Sequence, residues 1–133
     1  NPEVARFVGV ENLLPGVVTG SEDGLALVDI GGVRVSAVAT FTTGTSVTAC
    51  IRGEDIILFP SRETVSSARN LLTGRIRRII CDGPFARVTV DAGVPVTALI
   101  TTKSAGDLAL SPGREISLGF KAGDVHLIPA GKG

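Results

Sequence analysis

Hydrophobic and polar residues alternate along most of this chain, which is the pattern of half-buried β-strands. Val33, Val35 and Ala37 are separated by polar residues, and the stretch 94–100 repeats the alternation. Because the period is 2 rather than 3.6, these stretches predict antiparallel strands with one face in a core and one in solvent.

Turn-forming residues divide the chain into roughly five short strands per half. Four turn signals stand out, at Ser21-Glu-Asp-Gly24, Gly31-Gly32, Cys81-Asp-Gly-Pro84 and Pro112-Gly113. Short strands with half-polar faces protect their edges by curling into a small barrel. The sequence therefore predicts an all-β fold of two tandem small barrels of the OB type.

The two barrels are expected because the chain resembles itself. Three segments of the first half recur in the second: those starting at Asn12, Val33 and Asp55 match those starting at Asn70, Val94 and Asp124. The offsets are 58, 61 and 69, so the order is kept while the loops lengthen. We predict two homologous halves, 1–62 and 63–133, joined in the polar stretch 61–65.

The second half carries an insertion, residues 102–113, that the first half lacks. Ser104, followed three residues later by Asp107, resembles a helix start, and Pro112-Gly113 ends whatever forms. The insertion predicts one short helix in the second half.

Composition narrows the class of protein. The 133 residues carry 13 basic and 13 acidic side chains, which argues against holding a polyanion by bulk attraction. Hydrophobic residues make up 44% of the chain, too many for a disordered segment, yet no run is long enough to cross a membrane. The chain contains no methionine and no targeting segment. We interpret it as a soluble piece of a longer cytoplasmic protein.

No catalytic constellation is visible. Cys50 and Cys81 are too few for a zinc site or a disulfide framework, so we expect two small buried hydrophobes. His126 has no partners at a recognisable spacing, and no phosphate-binding loop of the Walker type occurs. The sequence predicts that this chain is not an enzyme, and that it holds no metal and no cofactor.

Two polar segments could hold an anion. The segment Ser66-Ser67-Ala68-Arg69-Asn70 offers a guanidinium and hydroxyls just before a strand. The segment Thr101-Thr102-Lys103-Ser104 offers an ammonium, more hydroxyls and backbone N–H groups at the predicted helix start. The first half has an acid, Glu11, where Arg69 stands, and lacks the insertion. Only the second half is equipped for an anion. The alternative is that these residues are solvated charges and turn formers.

Three strings carry a family resemblance: Ser67-Ala-Arg-Asn-Leu-Leu-Thr-Gly74, Val96-Thr-Ala-Leu-Ile-Thr-Thr-Lys-Ser104 and Leu108-Ala-Leu-Ser-Pro-Gly113. Together they resemble the molybdate-binding Mop or TOBE module. This module occurs in molybdate-responsive regulators, in small molybdate-storage proteins and at the C-terminus of molybdate and tungstate importer ATPases. Residues 4–17 resemble the junction that precedes this region in the importer ATPases, which favours a transporter over a regulator.

The resemblance implies both a ligand and partners. The ligand would be molybdate or tungstate, bound by Ser67, the Ala68 N–H, Arg69, Lys103 and Ser104 contributed by different subunits or modules. The partners would be a second copy in a homodimer, an upstream nucleotide-binding domain and, through it, membrane permease subunits on the inner face of the cell membrane. Binding would give feedback inhibition of uptake.

Other functions stay open at this point. The chain could be a TOBE module of another importer that only braces the ATPase, or the effector domain of a regulator or storage protein. An OB-type nucleic-acid binder is disfavoured, because stacking platforms need aromatic residues and the chain has five Phe, no Tyr and no Trp.

Overall fold

The structure, a computed structural model, describes residues 11–60 and 70–130. These residues form ten strands and one short α-helix, which confirms the predicted all-β class. The strands are β1 (Glu11–Glu22), β2 (Leu25–Ile30), β3 (Val33–Val38), β4 (Ser46–Arg52), β5 (Ile57–Phe59), β6 (Asn70–Asp82), β7 (Phe85–Asp91), β8 (Pro95–Thr101), β9 (Glu115–Phe120) and β10 (Val125–Pro129). The helix is α1 (Thr102–Asp107), and 3-10 turns span Gly53–Asp55 and Ala122–Asp124. In the part of the chain described, no helix is long and apolar enough to span a membrane.

The strands form two five-stranded antiparallel sheets that exchange one strand each. The first sheet has the order β10-β4-β1-β2-β3, and the second has the order β5-β9-β6-β7-β8. Strand β5, from the first half of the sequence, pairs with β9 of the second, while β10 pairs back with β4 of the first. Each sheet is therefore completed by the other half. The predicted join at 61–65 lies outside the described residues.

The strands that begin the two repeats, β1 and β6, are long and bent rather than short. Strands β1 and β6 span 12 and 13 residues, and each pairs with one neighbour over its first half and another over its second. The register shifts between Val18 and Gly20 in β1 and between Ile76 and Arg78 in β6, at equivalent points of the repeat. A bulge bends a strand and increases its twist, which lets one strand serve both sides of a barrel.

One hydrophobic core joins both sheets. Buried residues of the first half, such as Val28 and Ile51, belong to the same cluster as Val88, Leu118 and Phe120 of the second half. Each of these five side chains is at most 1% exposed. Since burial of such a side chain contributes about 1.5–3 kcal/mol, this shared core stabilises the two halves together.

Two buried asparagines, Asn12 and Asn70, bridge the halves in a reciprocal way. Asn12 begins the first repeat, and its side-chain amide accepts from the Thr97 N–H (2.8 Å) and donates to the Thr97 carbonyl (2.9 Å) on β8. Asn70, its equivalent in the second repeat, bonds the N–H (2.7 Å) and carbonyl (3.0 Å) of Ser36 on β3. Strands β3 and β8 are the edges of their sheets. Each amide thus pairs with an edge strand of the opposite sheet as a neighbouring strand would.

The cysteines differ from the sequence prediction in one respect. Cys50 is buried, as expected, but Cys81 is exposed. Cys81 is the last residue but one of β6, next to the β6–β7 turn, where the strand extends to the rim of the barrel. Burial raises the pKa of the Cys50 thiol, and the nearby Glu11 carboxylate raises it further.

Candidate functional site

The predicted helix forms one corner of the second sheet, which we call the helix corner: Thr101, Thr102, Lys103 and Ser104. Thr101 ends β8 in an extended conformation, and its hydroxyl oxygen accepts a hydrogen bond from the Ser104 N–H at 3.0 Å. The helix starts at Thr102 with Thr101 as its N-cap, three positions before the predicted helix-start residue Ser104. A threonine that ends a strand can satisfy the amide of the first helical turn, and this fixes where the helix begins.

The two hydroxyls of the helix corner are linked. The Thr101 hydroxyl donates to the Ser104 hydroxyl oxygen at 2.9 Å. A serine hydroxyl has one donor and two acceptor positions, so the Ser104 O–H can still donate to a group outside the chain. Ser104 is half-buried and Thr101 exposed. The Ser104 hydroxyl of this corner therefore keeps its own donor position for a ligand, which suits an anion.

Lys103 lies in solvent beside these hydroxyls. Its side chain is 84% exposed, and its ammonium forms an ion pair with Asp107 one turn later, at 3.2 Å. Exposed pairs at this spacing contribute about 0.3–0.5 kcal/mol, so breaking the pair to bind another anion costs little. Of the five sequence-predicted residues, Lys103 and Ser104 are thus adjacent and accessible.

The other three predicted residues, Ser67, Ala68 and Arg69, lie outside the described residues. They directly precede Asn70, which begins β6 and pairs with Phe120 of β9. The exposed Lys121 follows Phe120 and therefore lies where the Ser67-Ala-Arg69 segment joins the sheet. Sequence reasoning did not select Lys121. The repeat could have found it, because the 69-residue offset aligns Lys121 with Arg52, a cation at the same place in the first half.

Register separates the two parts of the predicted site within one sheet. Thr101 pairs with Phe85, and Phe85 pairs with Asp82 at the end of β6. Asn70 is the first residue of that 13-residue strand. At about 3.3 Å per residue, the strand path between the two ends approaches 40 Å. Thr101 and the start of β6 therefore lie at opposite ends of this strand.

Instead, the helix corner faces residues of the first half. An open groove beside Thr101 and Ser104 is lined on its other side by Glu54, Ile56 and Ile57. The Glu54 carboxylate accepts a hydrogen bond from the Arg52 guanidinium in an ion pair, and this bond raises the pKa of Arg52. Among the described residues that line this groove, those of the first half therefore provide no unpaired positive charge to the helix corner of the same chain.

Comparison with known proteins identifies the module. A family model described as the TOBE domain matches residues 66–127. Residues 66–127 therefore resemble a TOBE domain. The match covers β6 to β9, the helix corner and the first three residues of β10, and it confirms the resemblance seen in the sequence.

Two curated relatives extend the similarity beyond the TOBE domain to nearly the whole chain. The chain is 32% identical over 128 residues to the molybdate/tungstate import ATP-binding protein WtpC of Pyrococcus horikoshii, and this alignment covers 96% of the chain. It is 35% identical over 126 residues to WtpC of Pyrococcus abyssi, covering 93% of the chain. The chain spans about a third of the length of these relatives, 35% and 34% respectively. Both halves, not the TOBE domain alone, are therefore similar to one part of these proteins.

A solved structure shares the fold. The cytoplasmic molybdate-binding protein ModG, in a crystal form with molybdate bound, superposes with a TM-score of 0.77 at 29% identity. The match covers 90% of this chain and 96% of that chain. The two tandem OB-like barrels predicted from the sequence are therefore an architecture shared with a molybdate-binding protein.

Among the described residues, no three or more His, Cys, Asp or Glu side chains are grouped so that they could hold a metal ion. The helix corner gathers the hydroxyls of Thr101 and Ser104 with the Lys103 ammonium, which is paired with the Asp107 carboxylate. Hydroxyl and ammonium groups donate hydrogen bonds, and such donors can bind an anion.

Proposed function

We propose that this chain is the regulatory, oxyanion-sensing domain of a molybdate or tungstate importer ATPase. The Ser67 hydroxyl, the Ala68 N–H and the Arg69 guanidinium of one copy would bind the anion together with Lys103 and Ser104 of a second copy. The observation that carries the proposal is the Thr101–Ser104 hydroxyl pair, in which the Ser104 hydroxyl accepts and so keeps its own donor for a ligand, next to the exposed Lys103 ammonium. Similarity to WtpC and to molybdate-bound ModG selects the ligand class.

The proposed donors match a tetrahedral dianion. Molybdate and tungstate offer four oxygens and two negative charges, and the site would supply two cations, two hydroxyls and a backbone amide. Hydrogen bonds to charged groups contribute about 1.5–3 kcal/mol each. After the entropic cost of ordering the site and the ligand, several such bonds support a binding free energy of about −8 kcal/mol, which corresponds to a Kd near the micromolar range. Lys121, which follows Phe120 opposite the first residue of β6, would add a third cation near the anion.

A second copy is proposed because one chain leaves the two parts of the site apart. Asn70 and the helix corner lie toward opposite ends of β6, and the groove beside the helix corner is lined by Glu54, whose carboxylate is already paired with Arg52. A two-fold dimer that brings one helix corner to the other chain's Arg69 builds two identical sites. Each anion would cancel positive charge at the interface, so molybdate should tighten the dimer.

Feedback on transport would follow from this coupling. A ligand that binds one arrangement of two regulatory domains more tightly than another shifts the population toward that arrangement. In an importer whose ATPase subunits must separate and close, a dimer locked by its own cargo would slow uptake. The proposal places the chain in the cytoplasm, attached through its nucleotide-binding domain to permease subunits in the membrane.

The test is isothermal calorimetry of the chain with molybdate, tungstate and sulfate. We expect binding of the first two in the micromolar range, and at least a tenfold loss of affinity in Arg69→Ala and in Ser104→Ala. Arg78→Ala is the matched control, since it removes an equal charge from an exposed position in the middle of β6. Its affinity should equal that of the wild type.

Sedimentation of the same samples reports the partner. Molybdate should raise the fraction of dimer in the wild type but not in Arg69→Ala. If none of the three anions binds at millimolar concentration, the sensor proposal is wrong and a TOBE module that only braces an ATPase is favoured. Equal affinity in Arg69→Ala, Ser104→Ala and the wild type would remove the site assignment instead.

A further inference from the structure

The helix corner is carried by an edge strand with few backbone partners. Strand β8 pairs with β7 on one side and forms the edge of its sheet on the other. At that free edge the backbone N–H and carbonyl of Thr97 both bond to the side-chain amide of Asn12. Asn12 is 7% exposed and also donates to the Ile51 carbonyl at 3.0 Å. The first half thus holds β8 four residues before Thr101.

The Thr97 bridge is connected to the helix corner along a single strand. Thr97 and Thr101 lie on the same face of β8, because they are an even number of residues apart. The Thr97 hydroxyl also bonds the Thr89 hydroxyl of β7 at 3.0 Å, so both its backbone and its side chain are fixed. Thr101 in turn fixes Ser104 through two hydrogen bonds. Each link from Asn12 to the Ser104 hydroxyl is therefore a hydrogen bond or a short length of strand.

We propose that Asn12 is a positioning residue for the oxyanion site, although it lies in the half that lacks the Ser-Ala-Arg motif. The inference depends on the proposed function, because it assigns Asn12 to the same site. An edge strand that is held on only one side fluctuates. If ligand binding requires this strand to be ordered, part of the binding free energy is used to order the strand, and the observed affinity is lower. Asn12 orders the strand in advance. The first half is then a support that the second half requires for tight binding.

The test compares two variants that destabilise the protein but differ in their contact with β8. Asn12→Ala removes the bridge to Thr97. Val28→Ala, in the core of the first sheet, is the matched control, since Val28 is fully buried on β2, outside the sheet that carries β8. Molybdate affinity is measured by calorimetry at a temperature where denaturant titration shows both variants to be folded. We expect a three- to tenfold weaker affinity for Asn12→Ala, in the range seen for changes along coupling networks, and an unchanged affinity for Val28→Ala.

Hydrogen exchange on the wild type gives a second measurement that needs no variant. Molybdate should slow exchange of the Thr97 N–H, which donates to the Asn12 side-chain oxygen Oδ1, more than that of core amides on β2. Binding with equal affinities in Asn12→Ala and Val28→Ala, or with no change at Thr97, would overturn the role of Asn12 and leave the proposed function intact. Absence of molybdate binding to the wild type would overturn both.

Discussion

The close approach of β6 to β7 at Gly74 allows a sharp prediction for stability. A Cβ added at Gly74 would lie 2.7 Å from the Cα of Ala92 and still closer to the carbonyl oxygen of Asp91. Both are backbone atoms at the end of β7, so no side chain can rotate away, and the strands themselves must separate. Overpacking of this kind costs about 1–3 kcal/mol, and rigid backbone neighbours place Gly74→Ala at or above the top of that range.

Gly20→Ala is the matched control, because it puts the same methyl group into the equivalent long strand of the first repeat. Nothing lies within 4 Å of the added Cβ at Gly20. This variant should be at least as stable as the wild type, with a gain of up to about 1 kcal/mol from a less flexible unfolded chain.

Urea denaturation followed by circular dichroism measures both variants. For a small domain the slope is about 1–3 kcal/mol per molar urea, so a loss of about 3 kcal/mol moves the Gly74→Ala midpoint down by about 1–3 M. A Gly74→Ala midpoint equal to that of Gly20→Ala would refute the steric argument and the β6–β7 geometry on which it rests.

Three further predictions follow from the fold. Asn70→Ala should lower the free energy of unfolding by about 2–4 kcal/mol, because Ser36 loses the partners of both its N–H and its carbonyl; urea denaturation measures this, and a loss below about 0.5 kcal/mol would contradict it. Iodoacetamide should label Cys81 well before Cys50, because Cys81 is exposed and Cys50 is buried. Since the pKa of Cys50 is raised in the folded state, the contribution of its thiol to stability should be present below the ordinary thiol value of 9.0 and lost as the pH rises above it. A Cys50→Ala variant whose stability has the same alkaline pH profile as the wild type would argue against this. A chain shortened to end at Asp124 lacks β10 and exposes the edge of β4, so sedimentation should detect self-association. A shortened chain that stays monomeric and is as stable as the full chain would disprove the strand exchange.

The repeat made much of the fold predictable from the sequence. Alternation located β3 and β8 to within a residue, and the segments starting at Asn12 and Asn70 have equivalent structural roles. The exchange of β5 and β10 could not be predicted. The two strands occupy equivalent places in similar segments, so their local patterns fit either sheet, and only the path of the connections decides between the two.

The candidate site was predictable in part. Residue type selected the segment 101–104, the family resemblance narrowed it to Lys103 and Ser104, and both lie at one accessible corner of the described chain. Their relation to the start of β6 depends on strand register, which is a long-range property that no local pattern encodes. Lys121 was missed because its place near Asn70 follows from the pairing of Phe120 with Asn70, although its alignment with Arg52 in the repeat was a usable signal.

The exchange of strands also affects how this protein is made. The ribosome synthesises a chain from its N-terminus onward, so β1 to β4 emerge long before β10 (Val125–Pro129). The first sheet therefore cannot be completed until β10 has been synthesised. During translation β4 keeps an open edge, which a chaperone or a neighbouring nascent chain could occupy before β10 arrives.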